Sequence, residues 1–256
     1  MVIRLGRKNP KDYIPFFPAN INTFIDLFMG SGALTFAMAK KCKEVFANDI
    51  DDDIFNLYQV VTNRKYELLE AIENMPESES LFKFWKSHEE QEPIQKALRF
   101  MFLSNFSYLG KKTTFLCIPG SNPKRCTLNR IKKTFFAQNI KFTISDFRHV
   151  IRKISFGGGL RQKNNAFIYA DPPYMGTANN YSHGFTEDDS KDLFEILVGS
   201  GLRFAMSEFQ HPFILEMAEQ YGLRITEVKE RRNLQNRKVE ILVTNYEVEK
   251  VQPELL

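Results

Sequence analysis

Phe24-Ile25-Asp26-Leu27-Phe28-Met29-Gly30-Ser31-Gly32-Ala33-Leu34 is the stretch on which the fold turns. Its first five residues read as a buried parallel strand, since a short apolar run bounded by turn residues suits a strand covered on both faces. The glycines let the backbone turn tightly and come close to a ligand. A helical stretch to Lys41 follows, then the short strand Val45-Phe46-Ala47, ending in Asn48-Asp49. Asp49 stands 23 positions after Asp26, near the ~20-residue spacing at which an acid meets a ribose hydroxyl in dinucleotide folds. A third glycine is missing and no Lys-Ser/Thr follows, so neither the dinucleotide fingerprint nor a P-loop is complete. An adenosine-bearing ligand without a phosphate fits, and S-adenosylmethionine is the obvious one.

A second stretch sharpens this reading. The apolar run Phe167-Ile168-Tyr169-Ala170 ends in Asp171-Pro172-Pro173-Tyr174. The prolines fix φ and have no N–H, so the backbone is rigid there and its carbonyls are free to accept. An acid, an aimed carbonyl and a flat ring then meet at a strand's carboxyl end, where open α/β sheets place their ligand crevice. The set suits a planar, amino-bearing ring such as a nucleobase. The bland alternative is a proline turn with a solvated Asp and a packed Tyr; the glycine motif weighs against it.

In this order the motifs resemble those of the Dam-type family of adenine-specific DNA methyltransferases whose target-recognition region precedes the DPPY strand. Asp26-Leu27-Phe28-Met29-Gly30-Ser31-Gly32 resembles the family's (D/E)PFxGxG, Asn48-Asp49-Ile50 its ribose-binding segment, and Asp171-Pro172-Pro173-Tyr174 its catalytic motif. Gly6-Arg7-Lys8-Asn9-Pro10 resembles the GGK segment whose lysine contacts the cofactor; Arg4 stands where the family usually has an aromatic residue. Thr143-Ile144-Ser145-Asp146-Phe147 resembles the strand-end acid that meets the cofactor's adenine. Phe204-Ala205-Met206-Ser207 and Lys238-Val239-Glu240-Ile241-Leu242 resemble the late strand and final hairpin. The resemblance implies S-adenosylmethionine held by Lys8, Asp26, Phe28, Gly30, Ser31, Gly32, Asp49, Ile50, Asp146, Phe147 and Asp171. It implies a Rossmann-like class I methyltransferase fold, α/β, with a mostly parallel sheet, a closing antiparallel hairpin and an inserted helical subdomain.

At 256 residues, with 43% hydrophobic and 26% charged residues, the composition is that of an ordinary globular protein. No apolar run nears the ~20 residues of a membrane span and no signal peptide opens the chain, so a cytoplasmic location is expected. Cys42, Cys117 and Cys126 show no paired spacing and are expected as free thiols. The four histidines are scattered, so no metal is expected.

The net charge of +4 hides an asymmetry. From Lys111 to Lys163 there are thirteen Lys or Arg and one acid, Asp146, a local charge of +12, whereas Lys65 to Glu92 carries −5. Most charge runs are solvated faces. Beside a nucleobase-like pocket, the basic run reads as a phosphate-binding surface.

Alternating patterns predict strands at 23–28, 44–48, 140–144, 167–170, 203–207, 223–231 and 239–246, the last two joined by the turn Asn233-Leu234-Gln235-Asn236. Helices are predicted at 33–41, 53–62, 146–154, 187–198 and 212–220, with Thr186 and Asp189 capping the fourth. Residues 63–137 break the alternation. They read as a helical target-recognition subdomain with a long loop at 110–127, inserted between the two parts of the catalytic domain, 1–62 and 138–256. Phe102 to Gly110 resembles the family's NxxxYNG-like segment. Asn105, Tyr108, Lys111, Lys112, Arg125 and Arg130 are the expected DNA contacts. Phe100, Phe102 and Phe106 are expected in a helix core. Ser155-Phe156-Gly157-Gly158-Gly159-Leu160 reads as a connector, and Asn179-Asn180-Tyr181-Ser182-His183 as a lid over the base or a loop awaiting a partner.

The expected reaction is methyl transfer to the exocyclic amino group of an adenine flipped out of double-stranded DNA, with Asp171, Pro172, Pro173 and Tyr174 as the catalytic set. A separately encoded restriction endonuclease is an expected partner. Two alternatives stay open: an RNA or cytosine amino-methyltransferase, and a non-catalytic nucleic-acid-binding module with a relict pocket.

Overall fold

The computed structural model describes residues 8–107, 112–116, 122–133, 138–154, 165–175, 185–232 and 237–248. Arg4, Gly6, Arg7, Tyr108, Lys111, Cys117, the connector at 155–160, the segment 179–183 and the turn at 233–236 lie outside them.

Each strand expected from the sequence forms. They are β1 (Thr23–Asp26), β2 (Glu44–Asp49), β3 (Ile140–Ile144), β4 (Ala166–Ala170), β5 (Arg203–Phe209), β6 (Arg224–Arg232) and β7 (Arg237–Thr244). They make one sheet in the order β3-β2-β1-β4-β5-β7-β6. The first five are parallel, and β7 lies antiparallel between β5 and β6. Chain order reverses between β1 and β4, and that switch point opens the ligand crevice of such sheets.

The central strands are apolar on both sides because both faces are covered. On one face Ile25, Ile168, Phe204 and Ile241 pack against α8 (Phe147–Lys153), α9 (Glu187–Gly199) and α10 (Pro212–Gln220). On the other, Phe24, Val45, Phe167 and Leu242 meet Tyr13 of α1 (Pro10–Tyr13), Phe17 and α2 (Ala33–Ala39). The expected cap of α9 is a full capping box: Thr186 and Asp189 each bond the other's backbone N–H.

The described residues of the 63–137 stretch form mainly helices. α4 (Lys65–Asn74), α5 (Glu79–Ser87), α6 (Pro93–Asn105) and α7 (Pro123–Lys133) follow α3 (Asp52–Asn63). They do not form a core apart. One apolar cluster runs from Met29 and Ala47 through Leu57 and Val61 of α3 to Leu68, Phe82, Leu98, Phe102 and Ile131. Phe100, Phe102 and Phe106 are buried, as expected. The loop expected over 110–127 is interrupted earlier: α7 already begins at Pro123. Asn122 Oδ1 accepts from the Arg125 amide at 2.7 Å, and proline suits a first helical position whose N–H would be orphaned anyway. No helix among the described residues is long and apolar enough to cross a membrane.

Candidate active site

Three acids meet at the carboxyl ends of adjacent strands: Asp49 on β2, Asp26 on β1 and Asp171 just past β4. Asp26 is buried, and its Oδ2 accepts from the Thr35 hydroxyl at 2.6 Å. Among the described residues its buried Oδ1 meets no well-aligned hydrogen-bond donor, although the Phe28 amide nearby favours the charged form weakly. Burial pushes the Asp26 carboxyl up to about 7; the Thr35 bond opposes this, and the charges of Asp171 and Asp49 add to it. Burial likewise pushes Asp49 up to about 6, against amide bonds from Asp51 and Gly30.

The glycine turn between β1 and α2 is held from three sides. The Gly30 amide donates to Asp49 Oδ2 at 2.8 Å. The Met29 amide donates to the Asn48 carbonyl at 2.7 Å. The Tyr58 hydroxyl of α3 donates to the Ser31 carbonyl at 2.5 Å. Gly32 has φ +69°, and a Cβ there would lie 2.6 Å from the Phe36 ring. Gly30 has φ +49° with open space where a side chain would stand, as a close approach by a ligand requires. Buried Asn48 ties the strand ends together, donating to the carbonyls of Leu27 at 3.2 Å and Ser145 at 2.9 Å.

The fit of these residues to S-adenosylmethionine can be tested on the structure. An unpartnered buried carboxylate oxygen on Asp26 suits an ammonium group. Asp49 is oriented by two backbone amides at the end of β2, and a carboxylate so fixed suits the two hydroxyls of a ribose. Ile50 is 58% exposed beside it, an apolar surface for an adenine face. Phe28 and Phe147 lie 5.4 Å apart, and Phe185 joins them at 6.0 and 5.9 Å. The set fits. Asp146 is more engaged than the sequence implied. It caps α8 through the Arg148 amide and pairs with the Arg148 guanidinium at 3.1 Å. Arg148 reaches on to Asp189 and Asp192 of α9.

The DPPY segment enters a polar network of separate origin. Asp171 Oδ1 accepts from the Ser207 hydroxyl at 2.9 Å and lies 3.1 Å from Lys8 Nζ. Lys8, expected at the cofactor, also donates to Ser207 at 2.9 Å, to Glu240 Oε1 at 2.5 Å and to the Tyr174 hydroxyl. The Tyr174 hydroxyl donates to Glu240 at 2.7 Å, and its ring packs edge-on against Phe209 at 4.6 Å. Burial, with Asp171 and Glu240 adding, holds the Tyr174 phenol well above its ordinary pKa, so it stays a donor. On the other face of β5, Glu208 is buried and accepts from the amides of Met175 at 3.2 Å and Phe209 at 2.7 Å. Ser207, Glu208 and Glu240 were not among the site residues read from the sequence. The signal was an acid within the apolar run Val239-Glu240-Ile241-Leu242-Val243, because a buried charge must be paired.

The expected DNA contacts are scattered. Asn105 is buried at the end of α6 and donates to the Thr127 hydroxyl at 3.0 Å, which turns it into the fold. Lys112 is half-buried, its Nζ 3.9 Å from the centre of the Phe100 ring. Arg125 is exposed and Arg130 half-buried on α7. Among the described residues, no group of three or more His, Cys, Asp or Glu is placed to hold a metal ion.

A mostly parallel sheet in this order, with a glycine turn and three acids at its switch point, is a Rossmann-like fold of the class I methyltransferase type. Residues 11–252 match the D12 class N6 adenine-specific DNA methyltransferase family, and the chain belongs to it. It is 23% identical to a type II methyltransferase from Lactococcus lactis subsp. cremoris, over 94% of this chain and 93% of that one. It is 25% identical to the DNA adenine methylase of Escherichia coli K12, over 68% and 66%. Among solved structures it is similar to magnesium protoporphyrin IX methyltransferase from Synechocystis PCC 6803 with bound S-adenosylmethionine. There the TM-score is 0.39 and the identity 8%, covering 89% of this chain and 71% of that one. The enzyme methylates adenine in DNA and takes the methyl group from S-adenosylmethionine.

Proposed function

We propose that Asp171 and the main-chain carbonyl of Pro172 are the acceptors that prepare the adenine amino group. That nitrogen is a weak nucleophile because its lone pair is delocalised into the ring. Two acceptors drawing on its two hydrogens shift it toward sp³ and localise the pair. S-adenosylmethionine supplies the electrophilic methyl group. Asp171 then takes the proton that N6 releases on gaining its methyl. The observation that carries this reading is the orientation of Asp171. Ser207 and Lys8 engage Oδ1, and among the described residues Oδ2 accepts no hydrogen bond. An acceptor fixed before the reaction costs nothing to reorganise during it.

The Tyr174 hydroxyl is held by the same network, which leaves the ring to stack on the base. A base inside a duplex cannot reach the crevice, so the target adenine flips out of double-stranded DNA, at a cost of a few kcal/mol. Helices α4–α7 are the target-recognition region, and the exposed basic residues of α7 supply phosphate contacts. The type II designation of the Lactococcus relative supports a restriction-modification setting, with a separately encoded endonuclease as partner. A cytoplasmic location is part of this proposal, since the substrate DNA lies inside the cell.

Methylation-sensitive sequencing of DNA from cells expressing the protein tests this reading. N6-methyladenine in one sequence context is expected. Modified cytosine, or no modified base from a protein that binds S-adenosylmethionine, overturns it.

A further inference from the structure

The buried Lys8–Glu240 pair does more than the assigned chemistry asks of it. Glu240 lies inside β7, fully buried, within the apolar run Val239-Glu240-Ile241-Leu242-Val243. Its Oε1 alone accepts from Lys8 Nζ, the Tyr13 hydroxyl and the Tyr174 hydroxyl. Burial raises its carboxyl, but the charge of Lys8 and these three donors outweigh burial and hold it at about 2. The strand opposite is irregular there: Glu227 faces Ile241 and Lys229 faces Glu240, so Val228 is bulged out of the β6–β7 ladder. Bulges commonly re-aim side chains beside active sites. Beyond the bulge, Lys229 pairs with Asp12 of α1 at 2.6 Å. Two links, Asp12–Lys229 and Tyr13–Glu240, thus pin α1 to the closing hairpin, and α1 carries Lys8 at its entrance.

A buried ion pair is weak evidence for stability, because desolvation of both charges offsets their attraction. Its better-attested use is to fix a unique arrangement. Here the thing arranged is the Lys8 charge. It sits between two carboxylates, 2.5 Å from Glu240 and 3.1 Å from Asp171. Without Glu240, the nearest anion to Lys8 would be Asp171. Lys8 would close onto that carboxylate and compete with the substrate amino group for its lone pairs.

We propose that Glu240 is a positioning residue for methyl transfer. It holds Lys8 and the Tyr174 hydroxyl so that Lys8 lies against Oδ1 of Asp171 and Oδ2 stays open to the substrate. The inference rests on Asp171 being the acceptor proposed above. Glu240 touches neither substrate nor cofactor and acts through Lys8 and Tyr174.

The test is single-turnover methylation of unmethylated plasmid DNA by Glu240→Gln, Lys8→Met, the double variant and Asp171→Ala, with S-adenosylmethionine affinity measured by calorimetry. Glu240→Gln is expected to slow turnover ~10²-fold, the loss typical of ångström-scale misplacement, with cofactor affinity nearly unchanged. In the Lys8→Met background the same change is expected to add almost nothing, because residues acting as one unit are non-additive. If Glu240→Gln fails to fold, Tyr13→Phe removes one donor and keeps the charge. It is expected to show the same dependence on Lys8 in smaller size. A wild-type rate for Glu240→Gln, or an equal loss with and without Lys8, overturns the role of Glu240 while an inactive Asp171→Ala leaves the acceptor reading standing. An active Asp171→Ala removes both.

Discussion

The Gly30 amide and Asp49 Oδ2 lie 2.8 Å apart, so the turn after β1 and the end of β2 are locked together by one charge-assisted bond. Asp49 Oδ1 accepts from its own strand's exit, at the Asp51 amide, 3.0 Å away. The Asp49 carboxylate, which we propose meets the cofactor's ribose, is therefore also the clamp of the glycine turn.

Asp49→Ala should for that reason weaken S-adenosylmethionine binding more than DNA binding. A hydrogen bond to a charged group contributes about 1.5–3 kcal/mol, or roughly one to two decades in affinity. Calorimetry with the cofactor and filter binding with a duplex separate the two. Equal losses for both ligands would mean that Asp49 only supports the fold.

The two glycines of the turn should fail differently. At Gly32 a Cβ meets Phe36 at 2.6 Å and the Tyr58 hydroxyl at 3.1 Å, on a backbone with φ +69°. Gly32→Ala should cost about 1–3 kcal/mol for the clash, plus about 1–2 for the left-handed conformation. At Gly30 only the conformational cost applies to the ligand-free protein, since nothing lies within 4 Å of the added Cβ. Gly30→Ala should melt below the wild type but above Gly32→Ala, and should bind the cofactor poorly. The order of melting temperatures, with cofactor affinity beside it, decides the matter.

Asp171→Ala should lose ~10²–10³ in kcat while keeping its fold, as when one preorganised group is removed from a charge-stabilising site. Near-normal single-turnover methylation by this variant would falsify the proposed chemistry.

How much of this site could be read from the chain alone depends on sequence distance. The glycine turn, Asp49 and Asp171-Pro172-Pro173-Tyr174 were legible because each is a local pattern at a strand's exit. The same holds for the Thr186–Asp189 cap. The start of α7 was hidden by proline, which reads as a breaker in a basic stretch until Asn122 is seen as its cap. Glu240 lies 232 positions from Lys8 and 227 from Tyr13. Only the insertion of β7 antiparallel between β5 and β6 brings them together. No spacing rule reaches across that distance. Asn105 shows another limit of the sequence: a motif match gives a residue's place in the chain, not its burial, and here Asn105 is buried and bonded to Thr127 of α7.

Glu208→Gln should change how stability depends on pH. Burial pushes the Glu208 carboxyl up to about 8. The Met175 and Phe209 amides pull the other way, Asp171 raises it further and Lys8 lowers it. The folded state thus holds this proton more tightly than the unfolded chain, where glutamate titrates near 4.5. The stabilising contribution is complete below that value, declines as pH rises and is gone above about 8. Glutamine removes the titration and keeps an oxygen for the two amides. The melting temperature of the variant relative to wild type should therefore climb between pH 5 and 8. A difference that stays flat across this range would show that Glu208 is not protonated in the fold.

The basic face of α7 combines residues that serve the fold with residues free to meet DNA. Arg125 is exposed, whereas Lys112 is half-buried over the Phe100 ring and Lys124 is half-buried and donates to the Met75 carbonyl at 2.8 Å. The residues of the basic stretch are therefore not equivalent. Lys112→Ala should lower the melting temperature, because it strips a cation from an aromatic face, an interaction worth about 0.5–2 kcal/mol. Arg125→Ala should leave stability alone and act on DNA. If Arg125 meets a phosphate, binding to all duplexes weakens alike and the slope of log K against log salt flattens by ~0.9. If it reads a base edge, discrimination at one position falls by ~1–3 kcal/mol, because a guanidinium can pair with guanine in a bidentate way. Titrations at several salt concentrations, on the methylated context and on a scrambled duplex, distinguish the two. An Arg125→Ala protein with unchanged affinity, slope and specificity would make this face a solubilising surface and would move the proposed DNA path elsewhere.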